Sequence, residues 1–174
     1  MAGNGIWIVS SRGGIARQLS TFGAHPSWSP DGTRIAFQSQ RTTDLNAGGS
    51  FGATSTIWIA DADGRTPPAP VTQPGQPAGA HGMPAWWPGS RHIVFAVNGL
   101  AGVSARPTLW TIDTQGGAPV QLSADRMVSA EFAIAPDGRG IYFSASGTHA
   151  IWWLPVSDPA RPAGAEPLAA QVKA

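Results

Sequence analysis

An all-β fold is predicted by three features of the sequence. Long amphipathic helices are missing, because no window of a dozen residues keeps apolar positions at helical spacing without interruption by Gly or Pro. Short runs rich in Ile, Val, Trp and Phe recur at intervals that suit strands. Several runs, such as Ile57–Ile59 and Ile93–Phe95, are apolar at consecutive positions, which indicates strands covered on both faces. The length of 174 residues suits a single domain.

The apolar runs predict fourteen short strands along the chain. In order, they are Gly5–Val9, Arg17–Ser20, Pro26–Ser29, Arg34–Ser39, Thr56–Ala60, Ala69–Thr72, Ala85–Trp87, His92–Val97, Thr108–Asp113, Val120–Ser123, Glu131–Ala135, Gly140–Ala145, Ala150–Val156 and Glu166–Ala169.

A repeated stretch organises these strands. An apolar segment, a Pro-centred turn and a second apolar run ending in Phe occur at Pro26–Phe37, Pro84–Phe95 and Phe132–Phe143. Pro-Asp-Gly in two of the turns is a hairpin signal, because Pro presets φ, Asp tolerates the turn and Gly supplies a positive φ. An aliphatic–Trp pair also recurs, ending at Trp7, Trp58, Trp110 and Trp152. Spacings of 42 to 58 residues between equivalent positions, with four strands per unit, are typical of β-propeller blades.

The predicted organisation is one partial β-propeller domain over residues 1–174. It comprises a half blade at 5–20 and four-stranded antiparallel blades at 26–72, 84–123 and 131–170, or about 3.5 blades in all. Such an open arc leaves an apolar blade face bare at each end. We therefore expect that the remainder of a longer propeller, or a second chain, completes the ring.

The first full unit resembles a known family. Its sequence Pro-x-Trp-Ser-Pro-Asp-Gly-x-x-Ile-Ala-Phe-x-Ser, followed by Ile-Trp-Ile-x-Asp-x-Asp-Gly, is similar over Pro26–Asp63 to the WD40-like (PD40-type) repeat of TolB-like β-propellers. Gly89 and Ser90 replace Asp-Gly in the second unit, and Phe132 and Ile134 replace Pro and Trp in the third. The resemblance implies a partial propeller, since TolB-like propellers have about six blades. It also implies a periplasmic or other extracytoplasmic location, although the N-terminal residues show no signal peptide.

Composition excludes several classes of partner. The formal net charge is +1 and no basic run is present, which argues against nucleic-acid binding. The apolar runs are too short to span a bilayer, so no membrane insertion is predicted. Cysteine is absent, which removes disulfides and thiolate metal sites.

The predicted function is a non-catalytic platform that binds a protein or peptide, with no cofactor and no catalytic residues. Ligands are expected at the mouth of the central channel or on the rim loops Gln40–Ser55 and Asn98–Pro107. The resemblance leaves two alternatives open. One is an accessory propeller that gates a prolyl-oligopeptidase-like hydrolase, and the other is a metal-dependent lyase-type propeller.

Histidines supply weak candidates for a metal site. Alignment of the repeats makes His25, Met83 and Glu131 equivalent, at the start of the inner strand that lines a propeller channel. His81 lies two residues before Met83. One or two His side chains with a carboxylate can bind a divalent metal, so His25, Glu131 and His81 are the candidates. Because lone channel-facing polar groups bonded to water are more common, no metal site is predicted.

Tryptophans are assigned to the core or to the surface by their repeat positions. Those at recurring positions are predicted to pack between blades: Trp7, Trp58, Trp110, Trp152, Trp28 and Trp86. Trp87 and Trp153 break the pattern and are predicted to be exposed or at an interface. The possible binding surface therefore comprises Trp87, Trp153, His25 and Glu131.

Two local motifs match the sequence of a functional site without its context. Gly48–Gly52 has the spacing of a nucleophile elbow around Ser50, but a strand follows it where a helix is required. Asp61–Gly64 is similar to the start of a calcium loop, but the next residues supply no oxygen ligands. Gly48–Gly52 is therefore not predicted to form an active site, and Asp61–Gly64 is predicted to form a turn.

Overall fold

The computed structural model describes residues 5–39, 55–98, 107–123, 131–144, 151–160 and 170–171. Within these ranges the chain forms strands and turns and no helix, which confirms the all-β prediction. The described part of the chain accordingly holds no helical segment with the length and hydropathy of a membrane span. The strands are β1 (Ile6–Ile8), β2 (Arg17–Ser20), β3 (Ala24–Trp28), β4 (Arg34–Gln38), β5 (Ile57–Asp61), β6 (Ala69–Pro70), β7 (Ala80–Trp86), β8 (His92–Asn98), β9 (Thr108–Asp113), β10 (Val120–Gln121), β11 (Phe132–Ile134), β12 (Gly140–Ser144), β13 (Ile151–Pro155) and β14 (Ala170–Gln171).

The strands pair in chain order into four antiparallel sheets. Strands β1 and β2 form sheet 1, and β3–β6, β7–β10 and β11–β14 form the four-stranded sheets 2, 3 and 4. The first strands of neighbouring four-stranded sheets contact each other, β3 with β7 and β7 with β11. They are therefore inner strands, from which the sheets extend outward as the blades of an open β-propeller do. Sheet 1 carries Trp7 at the position of Trp58 in β5, so it consists of the two outer strands of a blade.

The Pro-Asp-Gly turn forms the predicted hairpin between β3 and β4. Asp31 Oδ1 accepts hydrogen bonds from Ser29 Oγ at 2.6 Å, Thr33 N at 2.9 Å and Thr33 Oγ1 at 2.7 Å. The bond from Ser29, followed by those from Thr33, holds the pKa of the Asp31 carboxyl well below its usual range. Gly32 adopts a φ of 71°, and Ser90 adopts 61° at the equivalent position of the second repeat. The second turn keeps a positive φ at this position without Gly, but it also has a φ of 101° at Gly89, whereas the equivalent Asp31 has no positive φ.

The turn ends of sheets 2 and 3 are joined by a polar cluster. Asp31 N donates to Ser90 Oγ at 3.1 Å, and the Arg34 guanidinium donates to Ser90 O. The same guanidinium lies 4.8 Å from the centroid of the Trp86 ring, whose Nε1 donates to Ser27 O at 2.9 Å. These contacts fix how sheet 3 sits against sheet 2.

Each interface between neighbouring sheets has the same construction. We call the face of a sheet that points to the next sheet its trailing face, and the opposite face its leading face. Between sheets 2 and 3, Ala36 and Ile57 on the trailing face pack against Trp86, Ile93 and Phe95 on the leading face. Small and aliphatic side chains on one side therefore receive aromatic side chains from the other.

The two other interfaces repeat this arrangement. The cluster between sheets 1 and 2 contains Ile6, Ile35, Phe37 and Ala60, with Ile8, Leu19, Phe22 and Trp58 packed against it. The cluster between sheets 3 and 4 contains Trp87, Val94, Ala96, Leu109, Leu122, Ile141, Phe143, Leu154 and Val156, with Met83, Phe132, Ile134 and Trp152 packed against it. Blade-to-blade packing of Trp58, Trp110, Trp152 and Trp86 is as predicted.

Three other tryptophan predictions are wrong. Trp7 is 42% exposed and Trp28 is 51% exposed, although both were expected in the core. Each lies on a leading face that no preceding strand covers in the described part of the chain. Trp87 is only 6% exposed, although it was expected to be exposed or at an interface and to belong to the possible binding surface. It lies on the trailing face of sheet 3, where Gly138 of the next hairpin turn approaches its indole.

A threonine hydroxyl two residues before the recurring Trp accepts a hydrogen bond from the indole N–H. Trp58 Nε1 donates to Thr56 Oγ1 and Trp110 Nε1 donates to Thr108 Oγ1, both at 2.8 Å. Ala150 occupies the same place in the last repeat. Accordingly, Trp152 Nε1 is buried without a hydrogen-bond partner in the part of the chain that the structure describes.

This difference predicts opposite effects of two substitutions. Thr108→Val keeps the side-chain shape but leaves the Trp110 Nε1 donor unpaired, so it should lower the free energy of unfolding by about 1–2 kcal/mol. Ala150→Thr gives Trp152 the same preceding residue type that Trp58 and Trp110 have, and should raise the free energy of unfolding by about 1 kcal/mol. Chemical denaturation followed by tryptophan fluorescence measures both, with the exposed Thr21→Val as control. Equal effects of Thr108→Val and Thr21→Val would contradict the role of the hydroxyl.

Candidate functional site

Bulges in the inner strands define the first candidate site. The pairing of β3 with β4 shifts between Ala24 and Ser27, and that of β7 with β8 shifts between Gly82 and Ala85. His25 lies in the first bulge with a φ of 50°, and Met83 in the second with 54°. Positive φ is uncommon for residues other than Gly, and a bulge re-aims the side chain it carries. The repeat equivalence of His25 and Met83 therefore extends to their unusual backbone.

A buried amide from the neighbouring sheet supports the second bulge. Gln38 is fully buried at the end of β4, and its Oε1 accepts a hydrogen bond from Met83 N at 2.9 Å. A Cβ on Gly82 would lie 2.9 Å from this oxygen, so a larger residue there would displace the Gln38 amide. Sheet 2 thus holds the bulge of sheet 3 in place.

Prolines follow both bulges on the inner edge. Pro26 in β3 and Pro84 in β7 have no N–H to offer along this edge. Edge strands with a bulge and a Pro resist the addition of a further strand. A ligand at this edge would therefore be recognised through side chains.

The structure places His25 and Glu131 at the inner edges of different sheets. His25 is exposed in β3, and Glu131 is exposed directly before β11, with β7 between these two strands. Glu131 lies outside the ladder that Phe132 begins, and its carbonyl accepts from Ser144 N at 3.3 Å. Among the described residues, no group of three His, Cys, Asp or Glu side chains is arranged to hold a metal ion.

His81 is fully enclosed, which corrects its assignment as a weak metal candidate. Its Nδ1 lies 2.8 Å from Thr72 Oγ1, and its Nε2 lies 2.8 Å from Pro77 O. Pro77 O can only accept, so Nε2 carries the proton; Thr72 Oγ1 accepts from Ile57 N at 2.8 Å and donates to Nδ1. The ring also packs against Phe95. Burial lowers the pKa of His81, and both ring nitrogens are occupied within the protein.

Aromatic side chains form a second candidate site on the trailing face of sheet 4. Tyr142 in β12 and Trp153 in β13 lie directly opposite each other, with ring centroids 4.6 Å apart. Tyr142 is 44% exposed, Trp153 is half-buried, and the neighbouring Ile151 is 57% exposed. A Cβ on Gly140 would lie 2.7 Å from the Trp153 indole, so the indole rests against this Gly. We call Gly140, Tyr142, Ile151 and Trp153 the aromatic end face.

The aromatic end face departs from the repeat. Tyr142 stands at the position of Ala36 and Val94, and Ile151 at that of Ile57 and Leu109, all four of which are fully buried. Trp153 replaces Ile59 and Thr111, and Gly140 replaces Arg34 and His92. The predicted surface residue Trp153 thus lies on this face, whereas Tyr142 and Ile151 were missed. Alignment of the three β4-type strands would have shown the Ala and Val replaced by Tyr.

Of the remaining predicted motifs, the structure describes the turn at Asp61–Gly64. Asp61 accepts from the Thr66 hydroxyl, and Asp63 Oδ1 accepts from Arg65 N at 3.0 Å, which confirms a turn after β5. Ser50 and nearly all of the rim loops Gln40–Ser55 and Asn98–Pro107 lie outside the described residues.

No family model and no curated protein matches the chain. Solved structures share its fold. A putative TolB from Agrobacterium tumefaciens matches with a TM-score of 0.63 and 17% identity, over 87% of this chain and 52% of that one. TolB from Acinetobacter baumannii matches with a TM-score of 0.59 and 17% identity, over 89% of this chain and 39% of that one. The tricorn protease matches with a TM-score of 0.64 and 10% identity, over 96% of this chain and 19% of that one.

These likenesses show the propeller fold that the TolB-like repeat implies. The chain spans 52% and 39% of the two TolB structures, so it corresponds to part of each.

Proposed function

We propose that this chain is a non-catalytic TolB-like β-propeller segment that binds a protein or peptide at its inner edge. The observation that carries the proposal is His25, an exposed side chain presented by a bulge at positive φ. Backbone of this kind is retained where the surrounding structure fixes it, and it is concentrated at binding and catalytic sites.

The chemistry of the inner edge favours a polar peptide ligand. His25 offers an imidazole that can donate or accept, and Glu131 offers a carboxylate two inner strands away. Pro26 and Pro84 make the edge a poor template for an added strand, so specificity rests on these side chains. We place the protein outside the cytoplasm by the same TolB-like resemblance.

Peptide selection tests this function. A random linear peptide library displayed on phage is selected on the immobilised protein, and the enriched peptide is titrated by calorimetry. His25→Ala should weaken binding about tenfold, which corresponds to about 1.4 kcal/mol. Ile15→Ser, which alters a fully exposed side chain in the β1–β2 connection, should leave binding unchanged. No enriched peptide, or equal affinity of wild type and His25→Ala, would contradict the proposal.

The alternative functions are separated by two further assays. The fold likeness to the tricorn protease favours an accessory propeller of a hydrolase as the second candidate. That role predicts no hydrolysis of fluorogenic peptides by this chain alone, and a tight complex with a separate hydrolase domain. A lyase-type propeller would instead bind Mn²⁺ or Zn²⁺ in a manner that His25→Ala removes, which calorimetry detects.

A further inference from the structure

We propose that two copies of this chain dock head to tail, with the aromatic end face of one copy against the leading face of sheet 1 in the other. The contact occurs twice and closes a ring. The inference concerns the faces at the two ends of the arc and is independent of the peptide site on the inner edge.

The trailing end of the arc exposes side chains that every interior interface buries. Ile57 and Leu109 are fully buried by the next sheet, whereas Ile151 at the same repeat position is exposed. Tyr142 and Trp153 extend this exposed area across β12 and β13. Exposed apolar surface of this kind on a sheet face marks an interaction site.

The leading end of the arc exposes the complementary set. Trp58, Trp110 and Trp152 each pack against the preceding sheet, whereas Trp7 at their position is exposed. Trp28 on sheet 2 is also exposed, because sheet 1 has no inner strands among the described residues, and it lies outside the proposed contact. The two ends of one copy therefore carry the two halves of the interface that the chain builds three times within itself.

The sizes of the side chains favour sheet 1 as the partner of the aromatic end face. Sheet 1 consists of outer strands, so within the described residues its leading face has no counterpart of Phe37, Phe95 or Phe143. A trailing face like that of sheet 2 or sheet 3, which carries the smaller Ala36 or Val94 at the position of Tyr142, would leave a void against sheet 1. Tyr142 and the Trp153 indole supply the missing volume from the other side of the contact.

Closure between two copies is consistent with propeller architecture. Trp7 and Ile151 are both exposed, so sheet 4 does not cover sheet 1 of its own chain. Two copies contribute six four-stranded blades and two half blades, which occupy eight positions, within the range of about 4–8 blades that propellers have. A head-to-tail contact yields a ring when its rotation closes. The formal net charge of +1 on each copy opposes the association little.

Sedimentation equilibrium and light scattering at micromolar concentrations test the pairing. The wild type should have twice the 18.0 kDa mass of one chain. The double variant Tyr142→Val/Trp153→Thr, which installs the residues of sheet 3, should raise the dissociation constant at least about a hundredfold. Ile15→Ser should leave the mass unchanged. Circular dichroism establishes that each variant remains folded.

Mixing identifies which faces meet. Trp7→Ala should be a single copy by itself, and so should the double variant. Their mixture should pair, because one contact of the mixed ring joins two unaltered faces. A wild-type single copy at all concentrations, a mass beyond two copies, or a mixture that does not pair would overturn the proposal.

Discussion

Replacement of Ile57 by Ala is expected to lower the free energy of unfolding by about 2–5 kcal/mol, whereas Ile151→Ala should lower it by less than about 1 kcal/mol. The two residues are of the same type and occupy the same repeat position. Ile57 is fully buried between sheets 2 and 3, so its truncation leaves a cavity. Ile151 already contacts solvent on the aromatic end face. Since small domains are stable by only about 5–15 kcal/mol, the first change removes a large part of the total.

Urea denaturation of both variants measures this difference. Protein concentrations are kept low enough for a single copy, so that association does not add to the stability of the Ile151 variant. Equal losses for Ile57→Ala and Ile151→Ala would mean that the trailing face of sheet 4 is as well covered as that of sheet 2.

Acidification below about pH 6.5 is expected to destabilise the protein through His81. Burial lowers the pKa of His81 in the folded state below the 6.5 of an unperturbed imidazole. Between these two values the unfolded chain binds a proton that the folded chain does not. The stabilisation is therefore complete above pH 6.5 and is lost as the pH falls, by at most about 1.4 kcal/mol for each pH unit.

Denaturation at a series of pH values between 7 and 5 isolates this effect. His81→Gln, whose amide can still donate to Pro77 O, should flatten the dependence of stability on pH even if it lowers stability overall. Ile15→Ser, which changes an exposed side chain without a titratable group, should leave the slope as in the wild type. The lowered pKa values of Asp31 and Asp113 take effect at lower pH, because each carboxylate stabilises the fold until it is protonated. A wild-type slope in His81→Gln would contradict the assignment.

Much of the fold is predictable because it is written locally and repeated. The apolar runs, the hairpin turn around Asp31 and the recurring Trp each act over a few residues. Most predicted strands recur within a residue or two, but β7 begins five residues before the predicted Ala85–Trp87. The last strand, β14, follows the predicted Glu166–Ala169, which lies outside the described residues. Repetition then gives the four-stranded unit and the side-by-side arrangement of the sheets.

The site is less predictable because it depends on three-dimensional contacts that the repeat does not encode. Trp87 breaks the repeat, which predicts that it is exposed or at an interface. Its neighbour Trp86 lies on the leading face of sheet 3, so the Trp87 side chain lies on the opposite face and packs between sheets 3 and 4. His81 is a candidate metal ligand by its sequence, but Thr72 and Pro77 occupy its two ring nitrogens. The backbone of Met83 depends on Gln38 of another sheet. The partners of His81 lie four and nine residues before it and Gln38 lies 45 residues before Met83, and no repeated motif predicts any of these contacts.

Among the described residues, each apolar cluster joins two sheets that are neighbours along the chain. Such an array behaves as a one-dimensional stack, in which cooperativity extends from one unit to the next. Sheet 3 is flanked on both sides by four-stranded sheets, while sheets 1 and 4 each have one flank. In a single copy, local unfolding therefore begins at sheets 1 and 4, and sheet 3 unfolds last.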